Sequence, residues 1–243
     1  MPYPYLFIRK KRGNKTMTIE KLAKYCLQAL EQDAETDVMA ASIQELEGID
    51  TFAEYITNMA HSIYMGLVRF ATSLILPVQE ILLEKGINTL DLTKTSPSGV
   101  KTRIFHKIKE VYAMDNSGMI VKQNCSYYLI GSKVIIKDFN PDYTYSVIYH
   151  PTINDLTTYV NDSDNIWNIE LNDLDGQGLC VPDEMAINIK FLVYSDMKLE
   201  ENPDVANVNK NYFESYLNEM ETTQVANIQT EVILNDWSDV YGD

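Results

Sequence analysis

The side chains that could carry out chemistry in this chain are few and far apart. They are three histidines and three cysteines, at His61, His106, His150, Cys26, Cys125 and Cys180. No two histidines have the spacing of metal ligands and none lies beside a cysteine, so the sequence predicts no metal site. The chain also lacks a CxxC pair, a GxGxxG motif, a P-loop and a GxSxG motif. The cysteines indicate no disulfide framework and favour synthesis in a reducing cytoplasm.

Carboxylates are abundant, with 35 acidic residues, so chance pairs of them are expected without any catalytic meaning. The run Asp173-Leu174-Asp175-Gly176 has some features of a calcium-binding loop. Leu171 stands two positions before it and the expected bidentate glutamate is missing, so we predict a simple turn. Asp183 and Glu184 are explained by the electrostatics of a helix start. We therefore predict no catalytic residue, no cofactor and no enzyme activity.

A row of tyrosines in the middle of the chain could bind nucleic acid. Tyr143, Tyr145 and Tyr149 alternate along a predicted strand, and aromatic rings in such a row can stack bases. Stacking of this kind requires a basic groove, and the neighbouring charges are sparse. Packing in a core or an interface is the favoured interpretation of these tyrosines.

The charges of the chain are unevenly spread. The net charge is −15, and the residues from Pro151 onward carry 19 acidic and three basic side chains, against 16 acidic and 17 basic in residues 1–150. Such a surface repels nucleic acid and anionic membranes and attracts basic proteins, unless it serves only solubility. Basic residues cluster only in 1–16, which we interpret as a basic N-terminal arm. This arm could touch phosphate, be a disordered tail, or precede a native start at Met17.

The elements that hold these residues begin with predicted helices over residues 17–73. Apolar spacing predicts a helix from Thr18 to about Leu30, and a second, short helical pattern ends at Gly48. Thr51 and Glu54 form a predicted capping box for a longer helix that should run to about Ser73. No membrane span is predicted, because charged residues and a proline interrupt the apolar stretch Ile63–Leu83.

Residues 74–178 are predicted to be a β-rich insertion with loops. Residues 74–77 and 81–83 favour strand over helix. The clearer strands cover 108–114, 119–123, 127–130, 133–136 and 143–149, and Gly131-Ser132 has the composition of a two-residue hairpin turn. Together they predict an antiparallel meander with one aromatic face. Residues 151–178 are predicted to be mostly loop, with a short strand at 166–171.

Residues 179–220 are predicted to be a pair of helices. Pro182 opens the first helix, and Asn202 caps the second with Pro203 at its first position. The first helix has two apolar stripes, one of Met185, Ile189, Leu192 and Val193 and the other of Ile187, Phe191 and Tyr194. In the second helix one face holds Val205, Val208, Tyr212, Tyr216, Leu217 and Met220. The apolar faces of the pair are too broad for one partner. Residues 221–243 have little periodicity and are predicted to form an extended acidic tail. The predicted fold is α+β, an α-helical bundle with a central antiparallel β-sheet insertion and an extended C-terminal tail.

This order of elements resembles the head-to-tail adaptor (connector) proteins of tailed bacteriophages. The similarity is one of pattern and covers roughly 18–220. Its residues are Pro182-Asp183-Glu184, Phe191–Tyr194, Asn202–Ala206, Tyr212-Phe213-Glu214 and the β unit YYLIGSKVIIKDFNPDYTYSVIYHP. The basic arm and the long 151–178 loop depart from the compact members of that family, which leaves the partner of the β side open.

The resemblance implies a structural virion protein at the head-tail interface, assembled in the host cytoplasm. Its helical bundle would form a homo-oligomeric ring, a dodecamer, and DNA would pass through the lumen without sequence-specific binding. The expected partners are the portal protein and a downstream tail protein. The expected ring interface comprises Ile187, Phe191, Tyr194, Tyr212 and Tyr216. The expected portal-binding tail comprises Val232, Ile233, Leu234, Trp237 and Tyr241.

Two alternatives stay open at this point. One is a tail-completion protein or another virion component that binds the tail tube instead of the portal. The other belongs to a different class, a cytoplasmic enzyme or acidic binding module whose site a single sequence does not reveal. The wide apolar faces of the helices and the tail favour the virion classes, because a monomeric enzyme has little use for either.

Overall fold

A computed structural model describes residues 17–30, 37–97, 99–161, 163–172 and 179–238, and for 163–165 and 224–238 it describes the backbone alone. Helices lie at both ends of this chain and antiparallel sheets lie between them. The predicted α+β class is therefore confirmed. The basic arm at 1–16 and the turn predicted at 173–176 lie outside the described residues.

Three helices form near the start of the chain where apolar residues recur every three or four positions. They are α1 (Ile19–Leu30), α2 (Ile43–Glu47) and α3 (Asp50–Thr72). The stripe of α1 that includes Leu22, Cys26 and Leu27 is buried, as its helical spacing predicts. The predicted helices are confirmed.

The capping box predicted at Thr51 and Glu54 is wrong. Helix α3 begins at Asp50, one residue before Thr51, so Thr51 lies inside its first turn. The capping box belongs instead to α2, where the backbone N–H of Glu45 donates to Ser42 Oγ (3.2 Å) and that of Ser42 donates to the Glu45 carboxylate (2.7 Å). The bond from the Ser42 backbone, followed by the bond from its hydroxyl, lowers the pKa of Glu45.

Nine strands are found in the described residues between 79 and 151. They are β1 (Gln79–Leu82), β2 (Thr89–Asp91), β3 (Thr93–Thr95), β4 (Lys101–Arg103), β5 (Phe105–Met114), β6 (Ile120–Lys122), β7 (Tyr127–Ile130), β8 (Lys133–Ile136) and β9 (Thr144–Pro151). They form sheets of order β1-β9-β5-β6, β2-β8-β7 and β3-β4, and every pair is antiparallel. Strand β9 returns to pair with β1, so the first strand and the last close this unit.

The β7–β8 hairpin matches its prediction. Gly131 has a φ of 62°, the left-handed conformation that a tight hairpin turn needs. Two other strand predictions are wrong. Residues 74–77 are not a strand, since Leu74 has a positive φ of 57° just after α3 ends. Residues 166–171 begin in a 3₁₀ helix (Ser163–Asn168) and then make only an isolated bridge from Glu170 to Thr18.

The buried apolar side chains form two separate clusters. The larger one joins α1, α2 and α3 to the C-terminal helices and to segments near 153–181. The smaller one lies among the strands and includes Phe105, Val111, Val134 and Val147. The helices at both ends of the chain thus share one core, and the strands between them have their own.

The C-terminal part contains α4 (Asp183–Ala186), α5 (Ile189–Lys198) and α6 (Pro203–Ser238). Asn202 Oδ1 accepts a hydrogen bond from the backbone N–H of Val205 (3.3 Å), so the predicted start of α6 is confirmed. The extended conformation predicted for the tail is wrong over 221–238, where the backbone is helical. No proline or glycine follows Pro203 before Ser238, and an established helix therefore continues at little cost per residue.

The face of α6 that is buried in the structure overlaps only partly with the predicted apolar face. The side chains that α6 buries are Ala206, Phe213 and Leu217, and of these only Leu217 belongs to the predicted face. Val205, Val208 and Tyr212 are exposed. At 100° per residue these two sets lie on well-separated sides of the helix. Helix α6 therefore has two apolar faces, one packed in the core and one open.

Candidate interaction surfaces

The open face of α6 carries the most exposed residue of the expected ring interface. We call Val205, Val208 and Tyr212 the α6 stripe, since they recur at helical spacing i, i+3 and i+7. Tyr212 is 58% exposed. Its ring lies 5.7 Å from that of Phe191 on α5, so the structure brings two of the five expected interface residues into contact. The stripe therefore continues from α6 onto α5.

The other three expected interface residues are partly buried. Ile187 lines a groove together with Tyr25 and Lys190, between α1 and α5. Tyr194 packs against the helical core. Tyr216 lies edge-on to Phe70 of α3, with ring centroids 6.2 Å apart, and burial raises its pKa. These three side chains contribute mainly to the packing of one copy.

An ion pair fixes which side of α6 faces inward. Arg69 of α3 donates from both terminal nitrogens to the two carboxylate oxygens of Glu214, at 2.5 and 2.6 Å. The Arg69 guanidinium also lies 5.3 Å from the centre of the Phe213 ring. Hydrogen bonding to Arg69 lowers the pKa of Glu214. No local pattern predicts this pair, because its members are 145 positions apart.

A second contact fixes the turn between α5 and α6. Lys198 Nζ donates to the hydroxyl of Tyr55 on α3 (2.6 Å) and to the Glu201 carboxylate (2.8 Å). The end of α5 and the turn before α6 are thereby tied to α3. The rotation of α6 about its axis is set by the Arg69–Glu214 pair.

The strands present a second apolar surface. Tyr128, Leu129 and Ile130 are consecutive, all exposed, and lie on β7, which pairs only with β8 among the described strands. We call these three residues the β7 edge. Ile130 is 64% exposed, and Lys137 Nζ lies 4.0 Å from the centre of the Tyr128 ring. An apolar edge strand with unpaired backbone groups invites association, so a folded protein usually covers it.

The tyrosine row has the structural role that the sequence favoured. Tyr145 and Tyr149 are buried in the core of the strands, and Tyr143 packs against that core. Burial raises the pKa of Tyr149 to about 12. These rings are therefore unavailable for stacking on bases.

The remaining polar groups of the β unit hold its strands together. Glu80 on β1 accepts hydrogen bonds from Ser146 Oγ (2.6 Å) and from the Tyr112 hydroxyl, so three neighbouring strands meet at one carboxylate. Burial, followed by the charges of Lys109 and Lys107, lowers the pKa of His150, whose Nδ1 is buried with no hydrogen-bond partner. The contacts of Glu80 thus join β1, β5 and β9, and no local pattern in the sequence predicts them.

No metal-binding group emerges from the residues described. Among them, no three or more His, Cys, Asp or Glu side chains are placed to share an ion. Burial raises the pKa of the Cys26 thiol to about 12, so this sulfur is a core atom.

A cleft of about 280 Å³ lies beside β1, with Tyr149, Asn154 and Cys180 in its wall. None of the described helices is both long and apolar enough to cross a lipid bilayer.

The residues expected to bind a portal lie near the end of α6 or past it. Val232, Ile233, Leu234 and Trp237 belong to the helical backbone of α6. Tyr241 lies outside the described residues. Ile233 and Trp237 are four positions apart, which is one helical turn.

No protein-family model matches this sequence, and no curated protein is significantly similar to it.

Proposed function

We propose that this protein is a structural virion component that forms a head-to-tail adaptor ring, docking under the portal of a tailed bacteriophage and linking it to the tail. The observation that carries the proposal is the α6 stripe. Helix α6 already buries Phe213 and Leu217 in its own core, yet it presents a second apolar face to solvent. A helix with two apolar faces is typical of a subunit that packs against other subunits.

The energetics favour association through this face. Burying a valine or a similar side chain completely is worth about 1.5–3 kcal/mol. The side chains of the α6 stripe are already partly buried, so each can contribute only a fraction of that value. Tyr212, whose ring contacts Phe191, is the aromatic anchor of this face, and tyrosine is enriched among the residues that dominate protein interfaces. In a closed ring every copy makes two contacts, one toward each neighbour, so this contribution recurs at every interface of the assembly.

The end of α6 provides the portal contact in this proposal. The helical backbone over 221–238 means that it would dock as a helix in a groove, with Ile233 and Trp237 as anchors one turn apart. Described side chains of α6 contribute to the helical core as far as Met220.

The charge of the chain also supports the proposal. The residues from Pro151 onward carry 19 acidic and three basic side chains. An acidic wall around a channel repels the phosphate backbone, and the duplex then moves through it without adhering. The negative surface thus suits a conduit for DNA better than a nucleic-acid-binding site.

The test is binding of the portal protein from the same virus. The full chain should bind it, a chain ending at Thr223 should not, and circular dichroism should show that both are folded. A matched variant, Thr230→Ala, keeps the length of α6 and should bind like the full chain, whereas Trp237→Ala should bind at least tenfold more weakly. Equal binding by the shortened chain would refute the assignment of α6. Binding of the full chain to the tail tube, with no portal binding, would favour the tail-completion class.

A further inference from the structure

Two apolar surfaces of this chain have no cover among the described residues. The first is the α6 stripe, where Val208 is 50% exposed. The second is the β7 edge, a strand with one free side, where Tyr128 and Ile130 project from one face of the sheet and Leu129 from the other. One lies on the helical part and the other on the strand part, so a single copy could offer both at once.

The two surfaces lie in parts of the chain that have opposite charge. Residues 74–151 contain nine basic and seven acidic side chains, which gives a net charge of +2. Residues 179–238 contain three basic and 11 acidic side chains, which gives −8. Opposite potentials of this kind steer two surfaces together and fix their register.

The charges closest to each surface follow the same division. Lys137 packs over Tyr128 of the β7 edge, and Lys133 is the first residue of the next strand. Asp204 directly precedes the first residue of the α6 stripe. Glu219 is seven positions, about two turns, after Tyr212, so it lies on the same exposed face of α6. Lys133 and Lys137 beside the β7 edge therefore complement Asp204 and Glu219 beside the α6 stripe, while Asp91, the cross-strand partner of Lys133, offsets part of the positive charge.

We propose that the β7 edge of one copy docks on the α6 stripe of a second copy, with Lys133 and Lys137 facing Asp204 and Glu219. The contact joins two different surfaces, so each copy keeps one surface free for the next neighbour and the assembly grows head to tail. A helix laid along an edge strand is one way in which proteins protect such edges. The exposed side chains of Asn211 and Ser215, beside the stripe, can hydrogen-bond the unpaired backbone groups of β7.

This contact adds detail to the proposed function. It rests on that proposal only for the closure of the assembly into a ring. It names the surfaces through which copies meet and the charges that set their order. It also gives the β unit a role within the ring. Portal binding through the end of α6 is a separate property, so the two can fail independently.

The test mixes two variants of the full chain. Ile130→Glu disrupts the β7 edge, and Val208→Glu disrupts the α6 stripe. Both positions are exposed, so the variants should unfold at the wild-type temperature. In sedimentation velocity the wild type should self-associate and each variant alone should be monomeric. Their equimolar mixture should form dimers and nothing larger, because only one intact pair of surfaces remains. Met65→Glu, at a 41% exposed apolar position on α3, is the matched control and should associate like the wild type.

Three outcomes would overturn the inference. The first is a wild type that stays monomeric at about 100 µM, well above the dissociation constants of specific protein–protein contacts. The second is a single variant that still associates, since that result indicates a contact between like surfaces. The third is a mixture that stays monomeric. Reversing charge with Lys137→Glu should weaken association about tenfold, and adding Asp204→Lys should restore most of it. Wild-type portal binding separates the two proposals. If it persists while the mixing test fails, only the β7–α6 contact is refuted.

Discussion

Replacing Gly66 with alanine measures how closely α3 packs on α5. A Cβ atom at this position would lie 2.9 Å from Cγ2 and 3.1 Å from Cγ1 of Ile189. Ile189 is fully buried and branched at Cβ, so it has little freedom to move aside. Overpacking of this kind costs about 1–3 kcal/mol, and alanine returns about 1 kcal/mol as the better helix former. The middle of that range less the helix gain leaves a net loss, so we expect Gly66→Ala to lower the free energy of unfolding by about 1 kcal/mol.

The sign should reverse when Ile189 is shortened. Ile189→Ala removes the three side-chain atoms that crowd Gly66, and on its own it costs about 2–5 kcal/mol through the cavity that it leaves. In that background Gly66→Ala meets no obstacle, so it should raise the free energy of unfolding by about 1 kcal/mol. The two substitutions should therefore show a coupling energy of about 2 kcal/mol.

Urea denaturation followed by tryptophan fluorescence is the assay. The chain has two tryptophans, and Trp167 packs against the helical core. In a Trp237→Phe background the signal reports on that core alone. Heating offers a second readout, with a shift of about 2–4 °C for each kcal/mol in a chain of this size. Equal stabilisation by Gly66→Ala in both backgrounds would refute the close approach of α3 to α5.

Three further predictions test smaller features. Ser42→Ala should cost about 1 kcal/mol in urea titrations because it removes the cap of α2, while Thr51→Ala, inside α3, should change stability by less than about 0.5 kcal/mol; the reverse order would contradict the capping assignment. The pKa of Glu214 lies below the ordinary value of 4.5, so its contribution is present above about pH 4.5 and lost as the pH falls through the lower folded-state pKa. Glu214→Gln should remove this pH-dependent part of the stability, which is under about 1 kcal/mol because the pair is roughly a third exposed. If the variant loses as much stability as the wild type between pH 7 and pH 3, the assignment is wrong. Iodoacetamide at pH 8 should alkylate the partly exposed Cys180 before the buried Cys26, as peptide mass spectrometry can show; equal rates would mean that Cys26 is not shielded.

Local signals in the sequence predicted much of the fold. The helical spacing around Leu22, the loop at Gly131 and the cap at Asn202 each depend on neighbours within a few positions, and each is confirmed. The capping boxes show the limit of such signals. Ser42 and Thr51 are both followed by a glutamate three positions on, and only the actual helix start decides which pattern is used.

Contacts between distant residues decided what the sequence could not. Both faces of α6 have apolar residues at helical spacing, and the sequence favoured the face that contains Tyr212. Arg69 and Phe70 of α3 select the other face, through Glu214 and Phe213. The candidate surface was predicted in part, since Phe191 and Tyr212 were named from their spacing. The β7 edge was missed because an edge strand and a central strand have similar local sequences.

The length of α6 has a mechanical consequence. The helix has 36 residues, about 54 Å at 1.5 Å per residue, and no proline or glycine follows its first residue, Pro203, before Ser238. Phe213, clamped in the core, lies 25 positions before the end, which is about 38 Å of helix. Such a rod acts as a lever, and a tilt of about 5° at Phe213 would move the far end by about 3 Å. Small changes in packing between α3 and α6 would thus appear, enlarged, at whatever surface the end of α6 touches.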